Sequence, residues 1–404
     1  MVINTACSIT EDISWVGVND HSTDLFEALW PLPKGISYNS YIINDDKVAL
    51  IDSVKPDFLA EHRAKIRSII GKDKAIDYLV INHMEPDHTG AIDQLRSAYP
   101  DIKIVGNHKT LEMLSSYYDI DNQVFAVKDG GRLSLGRHEL MFQLTPMVHW
   151  PETMMTYDAA GKVLFTGDVF GSYGAVDEGL FDDEVQERKV ADEVLRYFSN
   201  IIGRYGEMVL RAIDKIKTLE TGIVAPTHGI IWRKKPQRII ELYDCWSRHQ
   251  TEPGVVIVFA SMYGNTRIAV EALTRELVQN GLPVTVHNLS HSHASFVLRD
   301  IWRYGAAVLA CPTYNTELFP LMDDLVRLLE NKRISNRLLG IVGSYGWSGG
   351  AAESLRQFAE KNKWELVEPV IEFRGSARKG DMAQTIKLAG KIAEKLRETD
   401  KTSE

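Results

Sequence analysis

The chain has 404 residues, 44% of them apolar and 25% charged, with a formal net charge of -9. That length exceeds one ordinary core, so two or more domains are expected, and the acidic balance argues against a nucleic-acid partner, because phosphate binding needs basic surface. No apolar run reaches membrane-spanning length, and the opening "MVINTACSITEDISW" lacks a basic region followed by an apolar one, so neither membrane association nor a signal peptide is expected.

In chain order, residues 37–168 alternate short apolar strands, "SYNSYIIN", "KVALID", "DYLVIN", "IKIVGN", "LMFQLTP", "MMTYD" and "VLFTGD", with helical stretches such as 56–70 and 108–117. A long helical region follows over roughly 186–217, then a strand in "GIVAPT" and a helix near 236–249. This mixture predicts a layered α/β domain. The polar run "RHQTEPG", 248–254, reads as a linker. Beyond it, "VVIVFA", "VTVHNL", "AAVLAC", "LLGIVG" and "VIEFRG" are each followed by a helix. That alternation predicts a doubly wound sheet of five parallel strands. The charged end "KLRETDKTSE" reads as frayed. The three cysteines, Cys7, Cys245 and Cys311, form no CxxC pair. This excludes a rubredoxin-type iron site within the chain and fits a reducing cytoplasm.

Potential metal ligands recur where first-domain strands end. "LVINHMEPDH" supplies His83, Glu85, Asp87 and His88; "FQLTPMVHW" supplies His149; "VLFTGDVFG" supplies Asp168; "GIVAPTHG" supplies His228. Strand ends deliver side chains to one edge of a sheet, so several can converge on one site. Residues two apart in an extended segment point the same way, so His83, Glu85 and Asp87 would share a face, with His88 turned off it by the bend. A lone histidine at a strand end is more often a hydrogen-bonded core residue, and Asp168 after Thr-Gly could be turn chemistry. The joint occurrence outweighs these readings. Seven N/O donors exceed the needs of one tetrahedral ion and suit two ions bridged by a carboxylate.

The HxExDH run, with His149, Asp168 and His228 downstream, resembles the metallo-β-lactamase superfamily, whose usual motif is HxHxDH. Glu85 stands where the second histidine would be. That variant, joined to a flavodoxin-like domain, resembles the flavodiiron proteins over nearly the whole chain; "HWPETMMTY", "HGIIWR" and "SYGWSGG" add to the likeness. The resemblance implies an N-terminal metallo-β-lactamase-like αββα sandwich over 1–250 and a flavodoxin-like domain over 254–404. It assigns His83, His149 and Glu85 to a first iron, Asp87, His88 and His228 to a second, and Asp168 to the bridge. In some members the residue equivalent to His83 is displaced from the metal. Exchanging an imidazole for a carboxylate favours a more oxidised ion, as redox turnover needs, whereas zinc hydrolases keep neutral imidazoles. The donors themselves leave iron and manganese open; an adjoining flavin favours iron.

The second domain offers three loops to a flavin. "SMYGNT" (Ser261, Met262, Tyr263, Gly264, Asn265, Thr266) opens a helix, where hydroxyls and N–H groups can cradle a phosphate. Flavodoxins commonly carry threonine where Tyr263 stands. Pro312, Thr313, Tyr314, Asn315 and Thr316 follow the third strand, and Ser344, Tyr345, Gly346, Trp347, Ser348 and Gly349 the fourth. In a 2-1-3-4-5 sheet these loops meet beyond the strand ends. Trp347 is placed to lie over a flat ring. FMN is expected rather than NAD, because the first loop lacks GxGxxG.

The resemblance then implies an enzyme passing electrons from FMN to a di-iron site that reduces dioxygen to water, nitric oxide to nitrous oxide, or both. A metal-dependent hydrolase with a flavodoxin-like sensor or docking module, and a pure electron-transfer protein, are the other classes; Glu85 and the full ligand set disfavour them. A separate electron donor, rubredoxin before a deazaflavin or reductase, and a head-to-tail homodimer or dimer of dimers are implied. Many members carry a pocket histidine in the loop after the first strand; here Phe26-Glu27 stands in its place, leaving Glu27 or His21 to assist protonation, or Glu27 as a solvated loop charge.

Overall fold

The computed structural model describes residues 5–401. The chain forms two compact units, Met1–Ser247 and Arg248–Glu404. Among the described residues no helix is long and apolar enough to cross a membrane.

The first unit stacks two sheets. One has seven strands in the order Cys7–Ser8, Ile13–Trp15, Tyr41–Asn44, Val48–Ile51, Tyr78–Val80, Lys103–Asn107, Val124–Val127. Its early pairs are antiparallel, and pairing becomes parallel from Val48–Ile51 onward, where helices separate successive strands. Helices Leu59–Ile70, Ile92–Ala98 and His108–Tyr118 cover it, burying Ile66, Leu95 and Leu114 with Ile42, Leu50, Leu79 and Ile104. The other sheet orders Arg132–Ser134, Glu139–Leu144, Met154–Asp158, Val163–Phe165 and Ile223–Ala225, and helices Glu187–Tyr197, Gly206–Ile216 and Pro236–Ser247 follow its last crossover. Tyr41 on the first sheet meets Phe165 on the second, rings 5.1 Å apart, and its hydroxyl donates to the Pro226 carbonyl. The helical region expected over 186–217 is interrupted: a π-helical turn, Phe198–Ile202, and a 3-10 turn, Gly203–Tyr205, divide it.

The second unit is a parallel sheet in the order Val284–Asn288, Glu252–Phe259, Tyr304–Pro312, Leu338–Tyr345, the 2-1-3-4 arrangement expected. The fifth position is split. Glu365–Leu366 and Ile371–Arg374 each pair with a different part of Leu338–Tyr345, because Pro369 between them has no N–H to give a ladder. Helices on both faces explain why these strands read as unbroken apolar runs. Leu273 of helix Asn265–Gln279 and Leu388 and Ile392 of helix Lys379–Lys401 pack on Val255, Ile257, Val308 and Val342.

Two readings of chain connections need correction. The run 248–254 is not all linker: Glu252 opens the first strand of this sheet and pairs with Tyr304, with a bulge before Val255. Gly254 admits this, since a Cβ there would collide with the Tyr304 ring. The charged end is not frayed over its described part. It continues the last helix to Lys401, buries Leu396, and lets Arg397 donate to the Asn280 carbonyl at 2.8 Å. Residues 402–404 lie outside the described residues.

Candidate functional site

Strand Tyr78–Val80 delivers the opening cluster to the sheet edge, but not as an extended run. Glu85 is the last extended residue (ψ 141°), and Pro86, with its fixed φ, begins the helical turn Pro86–Thr89. Asp87 and His88 therefore leave a helix rather than alternating along a strand. The expectation that Asp87 shares a face with His83 and Glu85 is overturned: Asp87 groups with His88 and His228, while His88 does turn off that face and sets its Nε2 2.9 Å from Asp168 Oδ1.

Asp168 stands between two groups of side chains. His83, Glu85, His149 and Asp168 offer donor atoms all within 4.8 Å of one another, as do Asp87, His88 and His228. Asp168 Oδ2 lies 3.1 Å from His149 Nε2 and 3.8 Å from His83 Nε2. Asp168 Oδ1 lies 2.9 Å from His88 Nε2 and 3.5 Å from His228 Nε2. Glu85 Oε2 is 3.1 Å from His83 Nε2 and 3.4 Å from His149 Nε2, while Asp87 Oδ2 is 3.4 Å from His228 Nε2. The two oxygens of one buried carboxylate thus address opposite groups.

The electrostatics are those of cations and anions held in a dry pocket. Burial works against charge on the rings, but carboxylates outweigh it. Asp168, Glu152 and Glu85 hold His83 well above the usual imidazole range, Asp87 and Asp168 raise His88 to about 9, and Asp168 and Glu85 raise His149. Burial likewise opposes ionisation of Glu85 and Asp168. The histidines nonetheless hold Glu85 and Asp168 below the ordinary carboxylate range: His149 and His83 act on the first, His88, His228 and His83 on the second.

Among the described residues, both oxygens of Asp87 and Nε2 of His228 are buried without a hydrogen-bond partner. Each such group costs about 1–3 kcal/mol, more when charged. A set of anionic oxygens and an imidazole nitrogen left unpaired around a common centre fits divalent or trivalent cations.

Supporting residues escaped sequence reading. Glu152 accepts from His83 Nδ1 at 2.8 Å, the Ser37 carbonyl lies 2.8 Å from His228 Nδ1, and Thr227 donates to Asp168 at 2.6 Å. Asp52 accepts from both the backbone and the amide of Asn82, whose Oδ1 accepts from Thr156. Asp52 ends a strand, the rule that found Asp168; Thr227 adjoins a named histidine; Glu152 had only its place in "HWPET". Phe26, Tyr38 and Tyr197 pack against the His228 ring, with centroids 5.4, 5.8 and 5.6 Å away. Tyr173 packs on Tyr197 at 5.0 Å, and the Tyr173 hydroxyl is buried with no hydrogen-bond partner among the described residues. Burial first, then Arg196 opposed by Glu27, Glu193 and Glu85 at Tyr173, and Asp168 at Tyr197, leave both phenols well above their ordinary range and so protonated.

Neither His21 nor Glu27 joins the two groups. Glu27 is exposed at the tip of the hairpin Leu25–Phe26/Trp30–Pro31, with φ 52°, and accepts from Trp30 Nε1 at 3.1 Å. It is Phe26 that reaches the histidines. His21 is exposed and pairs with Asp177 at 3.0 Å. It lines a cavity of about 600 Å³ that also touches Lys34, Tyr173 and Gly229.

In the second unit a cleft of about 380 Å³ opens beyond the strand ends. Ser261, Met262, Tyr263, Asn265, Thr266, Pro312, Thr313, Tyr314, Asn315, Ser344, Tyr345, Gly346 and Trp347 line it, together with Gly375. Gly264, Thr316, Ser348 and Gly349 do not. Gly264 instead shapes the first loop: it has φ 94°, and its N–H donates to Ser261 Oγ at 3.1 Å. Thr266 and Ser344 hydroxyls, 2.9 Å apart, join the first loop to the third. Trp347 and Tyr263 are 81% and 92% exposed, as aromatic walls of an open slot are. Gly375, unforeseen, follows the split fifth strand, and the neighbouring Ser376 donates to Asn265 at 2.8 Å.

Comparison with known proteins places both units. A model of the ODP family beta lactamase matches residues 36–229, and a flavodoxin model matches 257–388. A nitric oxide reductase of Moorella thermoacetica is 34% identical over 394 residues, covering 96% of this chain and 98% of that protein. An anaerobic nitric oxide reductase flavorubredoxin of Enterobacter sp. is 33% identical over 86% of this chain and 73% of its own. Among solved structures, rubredoxin oxygen:oxidoreductase from Desulfovibrio gigas superposes with TM-score 0.92 at 28% identity, over 97% of this chain and 99% of that one. The flavodiiron protein of Giardia intestinalis gives 0.90 at 27% identity, over 97% and 98%. With two sheets and a donor cluster in one unit, a doubly wound sheet with an aromatic-walled cleft in the other, and these relatives along nearly its whole length, the chain belongs to the flavodiiron protein family of oxidoreductases.

Proposed function

We propose that this protein reduces dioxygen to water and nitric oxide to nitrous oxide at a pair of iron ions, with electrons entering through FMN, and that dioxygen is its main substrate. The observation that carries the reading is Asp168, whose oxygens face opposite groups of histidines and carboxylates. His83, Glu85 and His149 would hold one iron, Asp87, His88 and His228 the other, and Asp168 would bridge them. Two adjacent irons supply gas binding and electron transfer; FMN in the open cleft supplies their electrons. Glu85, an anion where zinc hydrolases carry a neutral imidazole, supports a site that stabilises the oxidised ions.

The chain's own residues must also deliver protons. Forming two waters from dioxygen takes four electrons and four protons, whereas coupling two nitric oxides takes two of each. Tyr197 and Tyr173 keep their O–H protons, and Tyr197 turns its own toward Asp168, which supports a hydrogen-bond donor role beside that carboxylate. Phe26 and Tyr38 line the same histidine and keep bulk water from it.

The electron donor is a separate rubredoxin, since the relatives' names include that protein and this chain has no CxxC pair of its own. The protein acts in the cytoplasm, a reading supported by its free cysteines. Head-to-tail pairing of chains, with the flavin of one serving the irons of the other, follows the family resemblance. Mixing Asp168→Asn chains with chains that cannot bind flavin should then restore turnover in confirmed heterodimers, and no restoration would place transfer within one chain. The central test is iron and flavin content with steady-state turnover of each gas, using reduced rubredoxin. Two irons and one FMN per chain with both activities are expected; zinc without redox change, or FAD, would refute the reading.

A further inference from the structure

We infer that Glu152 is the positioning residue that makes His83 a metal ligand, by fixing which ring nitrogen carries the proton; this rests on the metal-pair reading above. Glu152 lies on the loop that follows His149, and its side chain is fully buried. Its Oε1 accepts from two donors, His83 Nδ1 at 2.8 Å and the Met84 backbone N–H at 2.9 Å. An ionised carboxylate only accepts, so Nδ1 must be the protonated nitrogen, and the lone pair is left on Nε2 when an ion replaces the proton there. That nitrogen faces Glu85 Oε2 at 3.1 Å and Asp168 Oδ2 at 3.8 Å, the donors of the first group.

The loop is itself anchored. Asn107 Nδ2 donates to the Glu152 carbonyl, while Asn107 Oδ1 caps helix His108–Tyr118 by accepting from the N–H groups of Lys109 and Thr110. Trp150 of the same loop sets its ring edge-on to His83 at 5.1 Å. One anchored segment therefore presents His149 directly and orients His83 through Glu152. Residues behind a metal-bound histidine fix its ring and raise its basicity, and their loss typically costs about 10–100-fold in metal affinity. Among the described residues Glu152 Oε2 has no partner, so the carboxylate is not spent on some other buried contact.

Titrating metal-free protein with Co(II), whose visible absorption reports its ligands, tests this alongside iron content. The unaltered chain should take two ions; failure to do so removes the metal-pair reading, and this inference with it. Glu152→Ala should weaken one of the two sites by about 10–100-fold and leave the other unchanged. It should match His83→Ala in spectrum, and the double variant should bind no more weakly than His83→Ala. Glu152→Gln, whose amide oxygen still accepts from both N–H groups, should restore most of the affinity. Two sites of unaltered affinity in Glu152→Ala, equal weakening of both, or losses that add in the double variant would overturn the inference. Should Glu152→Ala not fold, Glu152→Asp keeps the charge but draws it back from Nδ1, and an unchanged affinity there overturns it equally.

Discussion

The two sites are built on opposite physical plans. The first unit buries its chemistry: His83, His88, Asp168 and His228 are essentially inaccessible, and charge balance is achieved among side chains from distant strand ends. The second unit exposes its chemistry, with Trp347 and Tyr263 standing into solvent around a cleft of hydroxyls, small residues and backbone. A metal ion needs few donors at fixed distances in a dry place, where unpaired anions bind it most strongly. A flavin needs a flat slot that it can enter, with contacts spread over much surface. The buried site should accordingly fail when any one donor is lost, and the open site should degrade by degrees.

Asp168→Asn is the sharpest attempt to break that contrast. It removes an anion facing both groups, so iron content should fall and turnover should drop by at least the ~100-fold that loss of a supporting residue can cost. FMN content should be unchanged. Retained iron and rate would show that the carboxylate does not bridge. In the open cleft, Trp347→Ala should lower FMN affinity by only about tenfold, the upper range for one aromatic stacking contact, with iron unchanged. Fluorescence titration of FMN into the flavin-free protein measures it, and loss of all flavin binding would make this site as brittle as the other.

Acid sensitivity tests where the units converge. Burial lowers His62 to about 4 in the first unit, and burial with the Arg337 charge lowers His249 to about 4 in the second. Each is neutral when folded, while the unfolded chain binds a proton below the ordinary value of 6.5. Stability from these groups is therefore full above about 6.5 and is lost as pH falls towards about 4. His62→Gln and His249→Gln should each flatten denaturation midpoints over that window; an unchanged slope in one variant assigns the acid response to other groups.

The smallest effect is expected at Glu27→Gln. The side chain is exposed, and glutamine can still accept from Trp30. Rates with dioxygen and nitric oxide should each stay within about twofold of the unaltered protein, far below the 10²–10⁴-fold of a general acid. A larger loss with dioxygen alone would make Glu27 a proton donor and give the hairpin tip a share in the buried site's chemistry.

What the sequence determined by itself was the kind of chemistry. Apolar runs ending in His, Asp and Glu, and strand–loop–helix units carrying Ser, Thr, Gly and Trp, name donor types and sheet edges, since strand formation and side-chain identity are properties of short segments. It misjudged Asp87, expected on one face with His83 and Glu85, because Pro86 converts the run to a helical turn before the alternation reaches it. Tertiary structure alone decided which oxygen of Asp168 faces which histidine and that Phe26 rather than Glu27 reaches the site. It also decided that the Tyr197 ring packs on His228, and that Glu152 holds His83. These relations join residues far apart in the chain, 69 positions for Glu152 and His83 and 80 for His88 and Asp168. A hydrogen bond depends on tenths of an ångström and on which nitrogen holds the proton, quantities set only when separate segments pack together, and no local pattern of residues carries them.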